Sequence, residues 1–169
     1  MRAALTVTLS GLALAPAWAA DVAISVQIPR INQAEYHRPY VAIWLEQERK
    51  HVADLAVWYD IKLRNNEGTK WLKDMRQWWR VSGRDLDMPV DGLSQVTRPP
   101  GEHRVAIDSK NPAFEKLPAG AYNLVVEAAR EVGGRELVRV PFEWPPKKAE
   151  RGEASGSREL GKVAIELNP

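Results

Sequence analysis

The stretch Asp91-Gly92-Leu93-Ser94-Gln95-Val96-Thr97 sets a carboxylate and two hydroxyls close together, just ahead of Arg98-Pro99-Pro100-Gly101. Such a run either turns the chain between elements, as Pro and Gly favour, or offers a hydroxyl on which a group can be anchored. Other chemistry is thin. The sequence has no Gly-x-Ser-x-Gly elbow, no Gly-x-Gly-x-x-Gly, no phosphate loop and no His-Glu-x-x-His, so the common signatures of hydrolases, nucleotide binders and zinc proteases are missing. His37, His51 and His103 fall on separate expected loops and strand ends and read as solvated surface side chains. Asp85-Leu86-Asp87 with Asp91-Gly92 is only superficially a calcium loop, because Pro89 takes a ligand position and no bidentate Glu follows at the right distance. No metal site is expected.

Aromatic chemistry is the second candidate. Between Thr69, available as an N-cap, and Gly83, a stop, the residues at 69–81 predict an amphipathic helix. At about 100° per residue, Trp71, Leu72, Met75, Trp78 and Trp79 share one face. Lys73, Arg76 and Arg80 make a basic stripe on the other side, opposed only by Asp74. The apolar face has two readings: it caps an open edge or mouth of the fold, or part of it stacks on a planar cofactor or docks a partner.

The elements that must position these residues are strands. Val22, Ile24, Val26 and Ile28 alternate with smaller or polar residues, the period of two that marks one buried face. Residues 40–46 and 52–59 predict a hairpin across a polar loop of about five residues, placing Trp44 and Trp58 on adjacent strands. Residues 121–129 and 135–142 predict another around Gly133-Gly134, read as supplying the positive φ of a tight turn. Weaker strands cover 103–108 and 162–167, and 145–157, rich in Pro, Lys, Glu, Gly and Ser, is expected to be a mobile loop. Six or seven short strands with one inserted helix imply a mainly β fold, an immunoglobulin-like antiparallel β-sandwich, with a small barrel as the alternative.

Residues 1–20 carry Arg2, the apolar run 3–14 and Ala17-Trp18-Ala19, the parts of an export signal with cleavage expected near Ala19 or Ala20. The apolar run is too short to span a bilayer. The expectation is a periplasmic chain of one domain over 21–169, not inserted in the membrane. The sequence has no cysteine, which excludes a disulfide framework, c-type haem and cysteine-held metals. A formal charge of +2 gives no global argument for nucleic acid.

Four stretches together resemble a known family, the domain-of-unknown-function family 2271 of predicted periplasmic proteins: Pro39-Tyr40-Val41-Ala42-Ile43-Trp44-Leu45-Glu46; Lys70-Trp71-Leu72 with Trp78-Trp79-Arg80; 91–101; and Ala119-Gly120-Ala121-Tyr122 through Glu131 with Gly133-Gly134-Arg135. Pro118-Ala119-Gly120-Ala121-Tyr122 is also similar to the immunoglobulin-like domain of flagellar hook-capping proteins. The family resemblance implies a place beside PepSY-type membrane flavoreductases and a periplasmic flavin transferase, hence extracytoplasmic electron transfer. That transferase esterifies FMN to the threonine of Asp-x-x-Ser/Thr-Gly-Ala-Thr, so the resemblance implies Asp91, Ser94 and Thr97 as the corresponding residues. Trp78 or Trp79 would stack on the flavin ring, and Arg98 or Arg80 would face its phosphate. Gln95 and Val96 stand where Gly and Ala are expected, and a β-branched neighbour crowds the acceptor. The expectation is therefore a non-enzymatic accessory or interaction module of a membrane flavin-dependent redox system, with bare Thr97. The alternatives are an electron carrier with covalent FMN on Thr97, or a protein binding a small ligand or metal at its tryptophan-rich face.

Overall fold

The computed structural model describes residues 21–107 and 111–169. The expected leader over 1–20, its cleavage point and Asp108 at an expected strand end lie outside the described residues. Strands β1 (Asp21–Ile28), β2 (Tyr40–Gln47), β3 (Lys50–Tyr59), β4 (Ser94–Val96), β5 (Gly101–Ile107), β6 (Gly120–Ala129), β7 (Arg135–Trp144), β8 (Glu150–Ser155) and β9 (Lys162–Asn168) are joined by short helices α1 (Arg76–Val81) and α2 (Pro112–Glu115). They form two separate sheets rather than a barrel, ordered β5-β1-β9-β8 and β4-β3-β2-β6-β7. Every pairing is antiparallel except β3 with β4, which run parallel. The chain is a mainly β two-sheet sandwich, as its strand periodicity implies.

The inner faces build the main core. From the four-stranded sheet come Val22, Ile24, Val26, Val163 and Ile165, and from the other Val41, Ile43, Leu45, Trp58, Leu124 and Val126. The five-stranded sheet buries its other face too, which explains why β2 has hardly any polar positions. Tyr40, Ala42 and Trp44 of β2 alternate with the inward residues and pack with Val57, Tyr59 and Val125 against Leu72, Met75 and Trp78. A bulge in β3 lets Ile43 pair with Ala56 and Trp44 with Asp54. Leu55 and Ala56 consequently both join the inner core, and Asp54 turns outward to the helical layer.

That layer departs from the expected helix. Residues 64–74 are a 3-10 segment, Arg64–Asp74, interrupted at its start by Asn65 and Asn66 with φ of 54°. Met75, at ψ 72°, breaks the path before the six-residue α1. Thr69 is no N-cap, since its hydroxyl donates to the Asn66 carbonyl at 2.7 Å. The cap comes from another strand: the Glu127 carboxylate, fully buried on β6, accepts the Gln77 and Trp78 N–H groups at 3.1 and 2.7 Å and pairs with Arg135 at 2.6 Å. Gly83 does not end α1 by conformation. It lies under the Trp78 ring, where a Cβ would sit 2.5 Å from Cζ3. The apolar face survives the change of helix type, with Leu72, Met75 and Trp78 buried, while Lys73, Arg76 and Arg80 face solvent.

Three loops also differ from expectation. The β2–β3 connection has only Glu48 and Arg49, at φ 48° and 64°, the two-residue geometry that matches strand twist. In the β6–β7 turn the positive φ belongs to Val132, at 52°. Gly133 and Gly134 serve close approach instead: a Cβ would meet the Arg130 guanidinium at 2.5 Å or the Glu159 carboxylate at 2.8 Å. That ion pair is nearly fully buried, with Arg130 Nε 2.9 Å from Glu159 Oε2. Finally, the expected mobile loop contains β8, an edge strand paired with β9 over 150–155. Its sequence, Glu-Arg-Gly-Glu-Ala-Ser, has little to bury because one side faces water.

Candidate functional site

One end of the five-stranded sheet gathers four distant segments. The start of β2 pairs with the end of β6, Tyr40 opposite Ala129. Beside it, β3 ends at Tyr59, whose partner on parallel β4 is Val96. The 3-10 segment closes the outer side with Trp71 and Asp74. Between them lies a cleft of about 330 Å³, with Tyr36, Tyr40, Asp60, Trp71, Thr97 and Glu131 among its walls. Arg38, His37, Leu63 and Asp74 complete the rim. A second, contiguous cleft of about 500 Å³ shares Trp71, Asp74 and Glu131 and runs towards Arg76 and Arg135.

The cleft is polar without being self-satisfied. Thr97 is 6% exposed. Its N–H donates to the Tyr59 carbonyl at 3.2 Å, and its hydroxyl donates to Asp60 Oδ1 at 3.3 Å. Tyr40 is 7% exposed, and its hydroxyl has no hydrogen-bond partner, nor has that of Tyr36. Burial, above all, pushes the Tyr40 phenol up to about 12. The charges of Asp60 and Glu131 add to the rise, and the nearby Asp60 N–H, short of hydrogen-bond geometry, opposes it. Burial likewise raises the Tyr36 phenol, with Arg130 opposing.

The six residues expected at a flavin site are not brought together. Thr97 is in the cleft. Ser94 is used locally, its Oγ accepting the Val90 N–H at 2.9 Å. Asp91 lines a different, shallower depression with Asp54, Gly92 and Asn111. Trp78 is fully buried, its indole N–H donating to Asp54 Oδ1 at 2.9 Å, so it cannot stack on a ligand. Trp79 is half-buried and tilted against Trp78 at 6.4 Å. Arg98 donates to Gln95 at 3.1 Å and lies over the Trp58 ring at 5.5 Å. Its guanidinium is thus held by the strand and an indole, although Nε is buried without a hydrogen-bond partner. Arg80 bonds Gln77 on the solvent side of α1. An FMN phosphate on Thr97 would face Asp60, with Asp74 and Glu131 in the same cleft. Arg38 and Lys62 are the nearby cations. A covered hydroxyl bonded to a carboxylate is a poor fit for an FMN ester, because the acceptor is not accessible.

The histidines lie at or near the surface, and each has a partner. His51 lies 3.0 Å from Asp54 Oδ1. Burial acts to raise the Asp54 pKa, but the hydrogen bonds from His51, Ser82 and Trp78 outweigh it and bring it below the ordinary range. His103 bonds the Pro99 carbonyl at 2.7 Å, and His37 lies between Glu35 and Glu131.

Residues 21–162 match the family described as "Predicted periplasmic protein (DUF2271)". The chain belongs to that family. No curated protein and no solved structure matches it. Within this DUF2271 chain, the four stretches that carry the family likeness each send a residue into the cleft: Tyr40, Trp71, Thr97 and Glu131. Tyr36, Asp60 and Asp74 escape sequence reasoning because no local spacing links them. Only strand register brings the ends of β2, β3, β4 and β6 to one place. No helix among the described residues is long and apolar enough to cross a membrane.

Proposed function

We propose that this DUF2271 protein is a non-enzymatic binding module, exported by cleavage near Ala19 or Ala20, that serves a PepSY-type membrane flavoreductase as an accessory in the periplasm. The cleft is its engagement surface, and Thr97 stays unmodified by the flavin transferase. The observation that carries the reading is the convergence of four separated segments on a cleft whose buried phenols lack partners. Buried hydroxyls are usually satisfied internally, and these two differ from the unpaired indole N–H groups of Trp44 and Trp58 in lining a cleft that a ligand can enter. The link to a flavin system comes from the family likeness alone.

The chain has no cysteine, so a single introduced thiol is a unique site for a photo-crosslinker. Leu63→Cys places it at the cleft rim on a residue 40% exposed, and Glu153→Cys places it on the outer face of the other sheet. In membranes containing the flavoreductase, the rim probe is expected to crosslink to it and the sheet probe is not. Equal capture from both positions, or none from the rim, would overturn the proposal. Intact mass of protein co-expressed with an active flavin transferase is expected to show no added FMN.

A further inference from the structure

We infer that the cleft binds an alkylammonium ion, whose N–H groups are taken by Tyr40 and the carboxylates and whose carbon chain lies against Trp71. This rests on the reading of the cleft as the binding surface and adds the chemical class of what enters it.

The first argument is the pair of orphan hydroxyls. Tyr40 is more than nine-tenths buried, lines the cleft and has no partner for its hydroxyl. Tyr36 on the same wall is half-buried as a residue, and its covered hydroxyl also lacks a partner. Buried polar atoms are nearly always satisfied, and leaving one unpaired costs free energy that an incoming group can recover. A ligand with several N–H donors offers hydrogen bonds to both phenol oxygens.

The second argument is charge. Asp60, Asp74 and Glu131 line the cleft with one guanidinium, that of Arg38, and Lys62 lies beside Asp60 and Thr97 in the adjoining depression, so carboxylates outnumber the cations at this end three to two. Among the described residues, Asp60 and Asp74 form no ion pair, and Glu131 has only His37 at 3.6 Å. The upward shift of the Tyr40 phenol has burial as its main cause and the charges of Asp60 and Glu131 as further ones. The phenol therefore stays neutral and sits in a negative field. An anion would be repelled from this wall, while a cation would complete it.

The third argument is the set of rings. Tyr36, Tyr40 and Trp71 give the cleft an aromatic wall beside its carboxylates, a combination suited to cations. The Tyr36 ring already takes one, the Arg130 guanidinium at 5.7 Å. The volume of about 330 Å³ lies at the small end for ligand pockets. The adjoining cleft carries Arg76 and Arg135, which would repel a second cationic end, so a monoamine fits better than a diamine.

The test is a nuclear magnetic resonance titration of the purified full-length exported protein with n-butylammonium, 1-butanol as its neutral counterpart and butyrate as the anionic one. Butylammonium is expected to shift amides around Tyr40, Asp60, Trp71 and Thr97, and 1-butanol to bind at least about tenfold more weakly. Asp60→Asn and Tyr40→Phe should each weaken the amine. Arg38→Ala, on an exposed side chain that does not threaten folding, should tighten it and so reports even if a buried variant misfolds. Equal binding of amine and alcohol, preference for butyrate, or no saturable shift with butylammonium would overturn the inference. None of these results depends on the flavoreductase, so crosslinking from the rim can succeed while this inference fails, and the reverse.

Discussion

The two sheets share one core but differ in what lies behind them. The outer face of the four-stranded sheet is water and surface ion pairs, such as Arg104 with Glu166 at 3.2 Å. The outer face of the five-stranded sheet is a second apolar layer, in which a 3-10 segment and α1 cover Trp44, Val57 and Tyr59. Sheet-only proteins with one wet face need no such layer. What it creates is an end: where the cover stops, at Trp71 and Asp74, the strand termini are left open as the cleft. The covered sheet therefore holds both the stability and the candidate site, and the bare sheet holds neither beyond its inner face.

The sharpest way to break this comparison is to remove the residue that pins the cover. Trp78→Ala is expected to cost about 3–5 kcal/mol, measured by urea unfolding, because it empties a fully buried site and removes one of the hydrogen bonds to Asp54. Glu166→Ala on the bare sheet should cost about 0–1 kcal/mol. Similar losses at both positions would remove the distinction between the sheets.

Next in size is the cap that ties α1 to β6. Glu127→Ala leaves the Gln77 and Trp78 N–H groups and the Arg135 guanidinium without their acceptor, a loss of about 2–3 kcal/mol. Hydrogen exchange should quicken in 76–81 well before the four-stranded sheet responds.

A smaller effect probes the seam between the sheets. Glu136 of β7 accepts the N–H groups of Ser157, Arg158, Glu159 and Leu160. Burial tends to raise its pKa but is outweighed by these bonds, which bring it from 4.5 to about 2. The folded value is depressed, so the contribution is fully present above about pH 4.5 and is lost as pH falls towards 2. The thermal midpoint of Glu136→Gln should lie below that of the parent at pH 7, and the gap should close on acidification through that window. A gap that widens in acid would contradict the assignment.

Smallest for stability is Trp71→Ala. The ring is half-buried at the cleft, so the expected cost is about 1 kcal/mol or less, while crosslinking from the rim to the flavoreductase should fall sharply.

Much of the sandwich was legible in the sequence. β1, β2, β3, β6 and β7 announce themselves by alternation or by branched and aromatic runs, and β5 and β9 give weaker signals. β8 was hidden because an edge strand with one wet side can be built from Glu, Arg, Gly and Ser. The helical layer was half legible. A 100° period placed Leu72, Met75 and Trp78 on one side correctly, but could not show the break at Met75 or the 3-10 winding before it, since the cap that stabilises α1 is a glutamate about fifty positions away. Of the residues expected at a site, Thr97 lines the cleft and Trp78 is fully buried, a difference decided by what packs on top. Tyr36, Asp60 and Asp74 carry no local signal, because their neighbourhood is made by register between strands distant in sequence.

The most direct measurement is hydrogen–deuterium exchange of the protein alone and with the PepSY-type flavoreductase in detergent or nanodiscs. Protection concentrated in 36–40, 59–63, 71–74 and 96–97 is the predicted result. Protection falling instead on the outer face of β1, β5, β8 and β9, with those segments unchanged, would contradict the account.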